Sequence, residues 1–304
     1  MSQLLRSVLY LPASNARALA RAPTLPADAI ILDLEDAVGP AEKPAARAAA
    51  AEAIGSVDFG HRLRVVRINA PDTPWHDDDL TMVKAAKPDA VLLPKVESAA
   101  TLETLAAQLG DATIAIWAMM ETPRAVLAAD AIAAAVATVP ALTTLVVGSN
   151  DLRLAARMPA SDDRRYLLPW LMQLVAAART HGLALVDAVY NDFRDLDGLA
   201  AECAEARAMG MDGKTLIHPS QIAAANATWT PDAAAVESAR AIVAAFAAPE
   251  NREAGVLQID GRMVERLHLV EAQALLGHAE AIAARSTADD VAAQSPGDRP
   301  DRRP

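Results

Sequence analysis

Aromatic side chains make up only 3% of this chain, and cysteine occurs once, at position 203. A lone Cys203 cannot close an intrachain disulfide, which fits a reducing compartment; the residue reads as a small buried apolar group on a helix. Basic residues are outnumbered by acidic ones, 28 to 39, for a formal net charge of -11. That balance argues against sequence-independent nucleic-acid binding, which needs clustered Lys and Arg to displace counterions. No stretch reaches the roughly 18 uncharged apolar residues that a membrane span needs. The opening MSQLLRSVLYLPAS has an interrupted apolar run and no convincing cleavage site, so it reads as a strand. A cytoplasmic protein without a membrane or nucleic-acid partner is the expectation.

What the chain has is aliphatic: 53% of its 304 residues are hydrophobic, chiefly Ala, Leu, Val and Ile, the stock of helices packed on buried strands. Short β-rich runs alternate with Ala-rich stretches whose charges recur at helical spacing. The runs are RSVLYLP, AIILDLED, RLRVVRIN, AVLLPKVE, TIAIWAMME, LTTLVVGSND, ALVDAVY and GKTLIHP. Each precedes a helical stretch, the first of which Ser14 is placed to cap. Eight such units predict an α/β fold, a (β/α)8 TIM barrel. The competing fold, a doubly wound open sheet, calls for a Gly-rich first turn, and PASNAR has no glycine. The expected layout is a barrel over 1–228, a C-terminal helical, lid-like extension over 229–285 with a loop or hairpin at GVLQIDGRMVE, and a disordered tail over 286–304.

Barrel enzymes carry their chemistry at the C-terminal ends of the strands. The second run, AIILDLED, raises the question most sharply, because a buried strand should not end in so many unpaired carboxylates. Glu35 and Asp36 stand there, Arg67 and Asn69 on the third run, Lys95 and Glu97 on the fourth, Glu121 on the fifth, Asp151 on the sixth and Asp187 on the seventh. So many acids at one mouth raise one another's pKa unless a cation intervenes. Oxygen donors without a Cys or His cluster point to Mg²⁺ or Mn²⁺, with Glu121 and Asp151 as the natural pair. Alternatively each is a helix-capping or first-turn charge. Arg67 shares a face with Val65 and Asn69, either to hold a substrate carboxylate or to pair internally with Glu35 or Asp36. Lys95 is a Schiff-base candidate or a partner of Glu97. His218 reads as a hydrogen-bonded structural residue. Arg17 and Arg21, one turn apart, are solvated helix charges or meet a phosphate.

Taken together, RSVLYLPASNARAL, ILDLEDAV, VVRINAPDTPW, VLLPKVES, METPRAV, VVGSNDL, DAVYNDFRDLDGL and GKTLIHPSQI resemble the citrate lyase beta subunit and the related malyl-CoA, citramalyl-CoA and β-methylmalyl-CoA lyases of the HpcH/HpaI aldolase superfamily. The resemblance covers roughly residues 5–285. It implies a (β/α)8 barrel assembled as a homotrimer or hexamer, with Glu121 and Asp151 as Mg²⁺ ligands. It further implies Arg67 as the substrate-binding arginine, with Glu35 and Asp36 orienting it and holding metal-bound water. Arg17 and Arg21 match CoA-contacting positions, although the family's usual Pro-Gly turn is Pro12-Ala13 here. In the lid-like IDGRMVERLHLVEAQ, Glu265 stands where the family has an aspartate. The implied reaction is reversible carbon-carbon cleavage of a 3-hydroxyacyl-CoA thioester, such as malyl-CoA or citramalyl-CoA, to acetyl-CoA and a 2-oxo acid. The alternatives are a citrate lyase beta subunit acting on a citryl carrier protein or citryl-CoA, a CoA-independent metal aldolase, and a non-catalytic binding barrel.

Overall fold

The computed structural model describes residues 3–159 and 164–294, with side chains described as far as 285. Eight parallel strands close into a barrel in sequence order: β1 Ser7–Pro12, β2 Ala29–Asp33, β3 Leu63–Arg67, β4 Ala90–Leu93, β5 Ala115–Met120, β6 Leu142–Val147, β7 Ala184–Asp187 and β8 Gly213–Leu216. Parallel pairing forces a crossover after every strand, and the helices supply it. They are α1 Ala16–Arg21, α2 Lys43–Ser56, α3 His76–Ala86, α4 Ala99–Leu109, α5 Pro123–Leu127, α6 Ala129–Ala134, α7 Ser149–Ala155, α8 Leu168–Thr180, α9 Leu196–Met209 and α10 Ile222–Trp229. The fold is the TIM barrel expected from the strand count.

Strands covered on both faces explain the near-continuous apolar runs. Alternate residues divide between two cores. Ile30, Leu32, Val66, Ile68, Ile116 and Ala118 face the helices. Val8, Ile31, Val65, Trp117, Met119 and Val146 fill the lumen. Caps punctuate the helices as their sequences suggest, with Thr122 accepting from Ala125 N–H ahead of Pro123. At α1 the cap is Asn15 rather than Ser14: its Oδ1 accepts from Ala18 N–H at 3.1 Å. The helix starts one residue later than expected, and an Asn there caps as well as a Ser.

The described residues divide into two compact units, one comprising Leu5–Trp229 and the other residues 230–294 with Gln3 and Leu4. The second unit contains α11 Ala233–Ala247, the antiparallel hairpin β9 Val256–Ile259 and β10 Arg262–Glu265, and α12 Arg266–Gln294. Asp260 and Gly261, both at positive φ, make the hairpin's two-residue turn. The tail expected from 286 is corrected over its first residues, where α12 continues to Gln294. The remainder of the tail, 295–304, lies outside the described residues. No described helix is long and apolar enough to cross a membrane.

Candidate active site

The acids that end β2 find their partner on the next strand. Asp33 and Arg67 occupy paired positions in the parallel ladder and share the inward face with Ile31 and Val65. Arg67 donates from Nε to Asp33 Oδ1 and from Nη2 to Oδ2, each at 2.6 Å, a bidentate clamp. Its third nitrogen, Nη1, lies 2.9 Å from Glu35 Oε2 and 3.6 Å from Asp36, which is largely exposed. The Glu35 approach has ion-pair distance, yet Oε2 receives no hydrogen bond, so the attraction is electrostatic rather than directional. Tyr10 lies beneath the guanidinium, which sits 4.9 Å from its ring centroid. Burial alone would lower the Arg67 pKa, but the Asp33 carboxylate outweighs it and holds the group well above its ordinary value. Arg67 is a fixed cation.

The loop after β2 is braced from beneath. Asp33 also accepts from the Glu35 and Ala37 N–H groups, so one carboxylate both clamps Arg67 and shapes the turn. Lys43 Nζ donates to the Leu34 and Glu35 carbonyls and to Asn69 Oδ1 at 2.8, 3.0 and 2.7 Å. Asn69 is in turn held by Asp79 at 2.6 Å and by the Leu34 carbonyl at 3.0 Å. Asn69 therefore frames the site from behind.

Glu121 follows β5, 1% exposed. Lys95 adopts a left-handed backbone, φ 52°, and its N–H donates to Glu121 Oε1 at 2.7 Å. The Lys95 side chain is half exposed and reaches Glu35 Oε1 at 3.6 Å, not Glu97 as the alternative to a Schiff base had it. Glu121 Oε2 has no partner. Burial, then repulsion from Glu35, pushes the Glu121 carboxyl up to about 8. Burial opposed by Arg67 leaves Glu35 at about 7. Gly148, just past β6, makes room for Glu121: a Cβ there would sit 2.4 Å from Glu121 Cβ and 2.8 Å from Oε2. Asp151 lies in the first turn of α7 rather than on the strand, half-buried, near enough to raise the Glu121 pKa further.

A cavity of about 300 Å³ is lined by Asp33, Asp36, Arg67 and Asp151 together with Tyr10, Met119 and Gly148, and Glu121 packs directly behind Gly148. A larger neighbour of about 590 Å³ shares Ser149, Asn150, Val189 and Asn191 with it, but Arg67 and Asp151 line the smaller one. The donor set suits a hard divalent cation. It offers one orphaned, buried carboxylate oxygen on Glu121, a second carboxylate on Asp151, and a cradle that only a glycine leaves open. Among the described residues, no three or more His, Cys, Asp or Glu side chains converge in metal-binding geometry. Two carboxylates with remaining positions for water and substrate is the arrangement that Mg²⁺ favours.

Other expected residues fall elsewhere. Asp187 faces outward, because β7 directs Val186 into the lumen and its neighbour toward the helices. There it accepts from Arg164 Nη1 at 2.8 and 3.0 Å and from Lys214 Nζ at 2.8 Å. Lys214 also donates to Glu202, and Arg164 to Glu205. His218 caps a short turn with Gln221 and stacks on Phe193, as the structural reading required. Arg17 and Arg21 are exposed on α1. Glu265 ends β10 in the second unit, where its N–H donates to His268 Nδ1. Sequence inspection missed Asp33, Tyr10 and Lys43. The signal for Asp33 was its place opposite Arg67 once the two strands are aligned.

The model of the HpcH/HpaI aldolase/citrate lyase family matches residues 6–219, from the start of β1 to the end of β8. A (3S)-malyl-CoA thioesterase from Cereibacter sphaeroides is 49% identical over 279 residues, covering 92% of this chain and 96% of that protein. An L-malyl-CoA/beta-methylmalyl-CoA lyase from Rhodobacter capsulatus is 32% identical over 307 residues, covering 92% and 96%. Among solved structures, the protein CitE from Mycobacterium tuberculosis, in complex with magnesium, acetoacetate and coenzyme A, is 32% identical with a TM-score of 0.74, over 90% of this chain and 97% of that one. Proteins of matching length thus align almost end to end, and the pattern they share spans every strand of the barrel. The chain belongs to the HpcH/HpaI aldolase/citrate lyase family of enzymes.

Proposed function

We propose that this protein is a Mg²⁺-dependent enzyme acting on CoA thioesters of the malyl-CoA class, with thioester hydrolysis to CoA and the free acid as the net reaction. The observation that carries the reading is the orphaned Glu121 Oε2, packed against Gly148 and within electrostatic reach of Asp151 and a permanently charged Arg67, with Gly148, Asp151 and Arg67 lining one small cavity. Glu121 and Asp151 would hold the ion. When bound, the ion supplies Lewis-acid polarisation of substrate oxygens. Arg67, pinned by Asp33 through two of its nitrogens and faced by Glu35 at Nη1, offers a fixed positive charge to the oxygen that gains charge during bond cleavage. Glu35 Oε2, without a hydrogen-bond donor and titrating near neutrality, is suited to take the proton of an attacking water. The 49% identity to a malyl-CoA thioesterase favours hydrolysis.

Carbon-carbon cleavage to acetyl-CoA and a 2-oxo acid is the second reading. The same Arg67 geometry suits it, because an alkoxide collapsing to a carbonyl needs the same fixed cation. The assignment extends to a homotrimer or hexamer in which Glu265 supplies an acid or base; an unchanged rate in Glu265→Gln removes that residue from it. The deciding test follows products from malyl-CoA and citramalyl-CoA stereoisomers, with Mg²⁺ and with EDTA. Metal-dependent release of free CoA and malate supports hydrolysis, whereas acetyl-CoA with glyoxylate or pyruvate replaces it by the lyase. Turnover indifferent to EDTA, or none on any isomer, overturns both.

A further inference from the structure

Among the described residues, four buried side-chain polar atoms lack a hydrogen-bond partner: Tyr10 Oη, Glu35 Oε2, Trp117 Nε1 and Glu121 Oε2. Three of them surround Arg67. Leaving a buried polar group without a partner is costly, and a cluster of such groups calls for a ligand that completes them. The two carboxylates already belong to the site described above, but the phenol does not.

Tyr10 is one of only three tyrosines in the chain. It projects from β1 into the lumen, packs against the inner core and lines the same cavity as Arg67 and Asp151. A phenylalanine would fill that position and carry the guanidinium equally well, because the cation rests on the ring and not on the hydroxyl. The hydroxyl is therefore an addition without a use in the ligand-free protein. Burial, with Arg67 opposing, holds its pKa far above the ordinary value, so it is a permanent donor rather than a base.

We infer that Tyr10 is a substrate-contacting, specificity-determining residue whose hydroxyl donates a hydrogen bond to an oxygen of the acid half of the ester. The inference rests on the proposal that this cavity takes the acid half of a CoA thioester. A polar ligand oxygen would satisfy the orphan, and ligands lacking one there would leave it unpaired, which discriminates against them.

The test is Tyr10→Phe in the full chain, with three readouts beside kcat and KM: the thermal midpoint of the metal-free protein, the Kd for Mg²⁺ alone, and the Kd for malate, the acid product of the proposed hydrolysis, with Mg²⁺ present. Removing an unpaired hydroxyl should raise the midpoint by a few degrees. Malate binding should weaken about tenfold while Mg²⁺ binding stays within twofold. A lowered midpoint would give the hydroxyl a structural partner, and a loss confined to Mg²⁺ would assign it to the ion's hydration; either overturns the inference. So does malate affinity equal to wild type. If wild type itself binds no malate, the proposed function fails first, and the inference with it.

Discussion

Of the arginines buried in this barrel, Arg67 and Arg164 each anchor a cluster of acids, and the two clusters differ in one respect. Arg164 and Lys214 face Asp187, Glu202 and Glu205 outside the lumen, and the Asp187 carboxylate is satisfied from both oxygens. Arg67 faces Asp33, Glu35 and Asp36 inside the mouth, where Glu35 and Glu121 each keep an oxygen that receives no hydrogen bond, that of Glu35 lying at ion-pair distance from Arg67. The titration behaviour follows the same divide. Burial would raise the Asp187 pKa, but Lys214 and Arg164 hold it below its ordinary value. Burial wins at Glu35 and Glu121. A charge cluster complete in itself braces the fold, whereas one left incomplete is prepared for something that arrives.

The largest effect expected at the mouth is in Asp151→Ala. Loss of a metal ligand should cost on the order of 1,000-fold in Mg²⁺-dependent turnover, several kcal/mol of transition-state stabilisation, with the thermal midpoint unchanged. Turnover close to wild type would take Asp151 out of the metal site. Next comes a matched pair, Asp187→Asn and Asp33→Asn. Each leaves a buried cation short of its partner and should destabilise by about 3–5 kcal/mol in urea unfolding. Only Asp33→Asn should also lower kcat/KM of the folded fraction, because Arg67 lines the smaller cavity with Asp151, whereas Arg164 and Asp187 line the larger neighbour. Equal catalytic losses in both would erase the distinction between the clusters.

Gly148→Ala is expected to weaken Mg²⁺ binding about tenfold, since its methyl group would displace the Glu121 carboxylate. Calorimetric titration would detect it, and an unaltered Kd would show that Glu121 has room to shift. The smallest effect is one of pH. Glu121 and Glu35, raised from an ordinary 4.5 to about 8 and about 7, bind more protons folded than unfolded between those values. Stability of the metal-free protein should therefore decline as pH rises from about 4.5 to about 8, and added Mg²⁺ should restore it most at the upper end. Asp187 acts in the opposite sense: its contribution is present above 3.8 and is lost as pH falls below that. Melting curves across pH, with and without Mg²⁺, separate the two.

The barrel was legible because each strand is an apolar run long enough to bury on both faces, and alternation within VVRIN turned Arg67 inward. Its partner was harder to read. Glu35 and Asp36 stood out as charges past the strand, whereas Asp33 is the residue that the β2/β3 register sets opposite Arg67. Register is a property of two strands, and one strand's sequence does not contain it. Asp187 was misplaced for a related reason, since a shift of one position turns a side chain from lumen to helices. Asp151 was singled out as the acid closing the sixth run, and its place in a helical turn rather than on the strand still leaves it close enough to raise the Glu121 pKa.

The left-handed residue at position 95 has a bearing on which ion this protein would choose. Its amide already engages one oxygen of Glu121 at 2.7 Å, which leaves Oε2 as the oxygen with no competing hydrogen bond. Calcium, which is large and often claims both oxygens of a carboxylate, is poorly served by such a ligand; a small octahedral ion needs no more than one. Discrimination between the two commonest divalent ions would then be fixed by the backbone of a residue that never touches either.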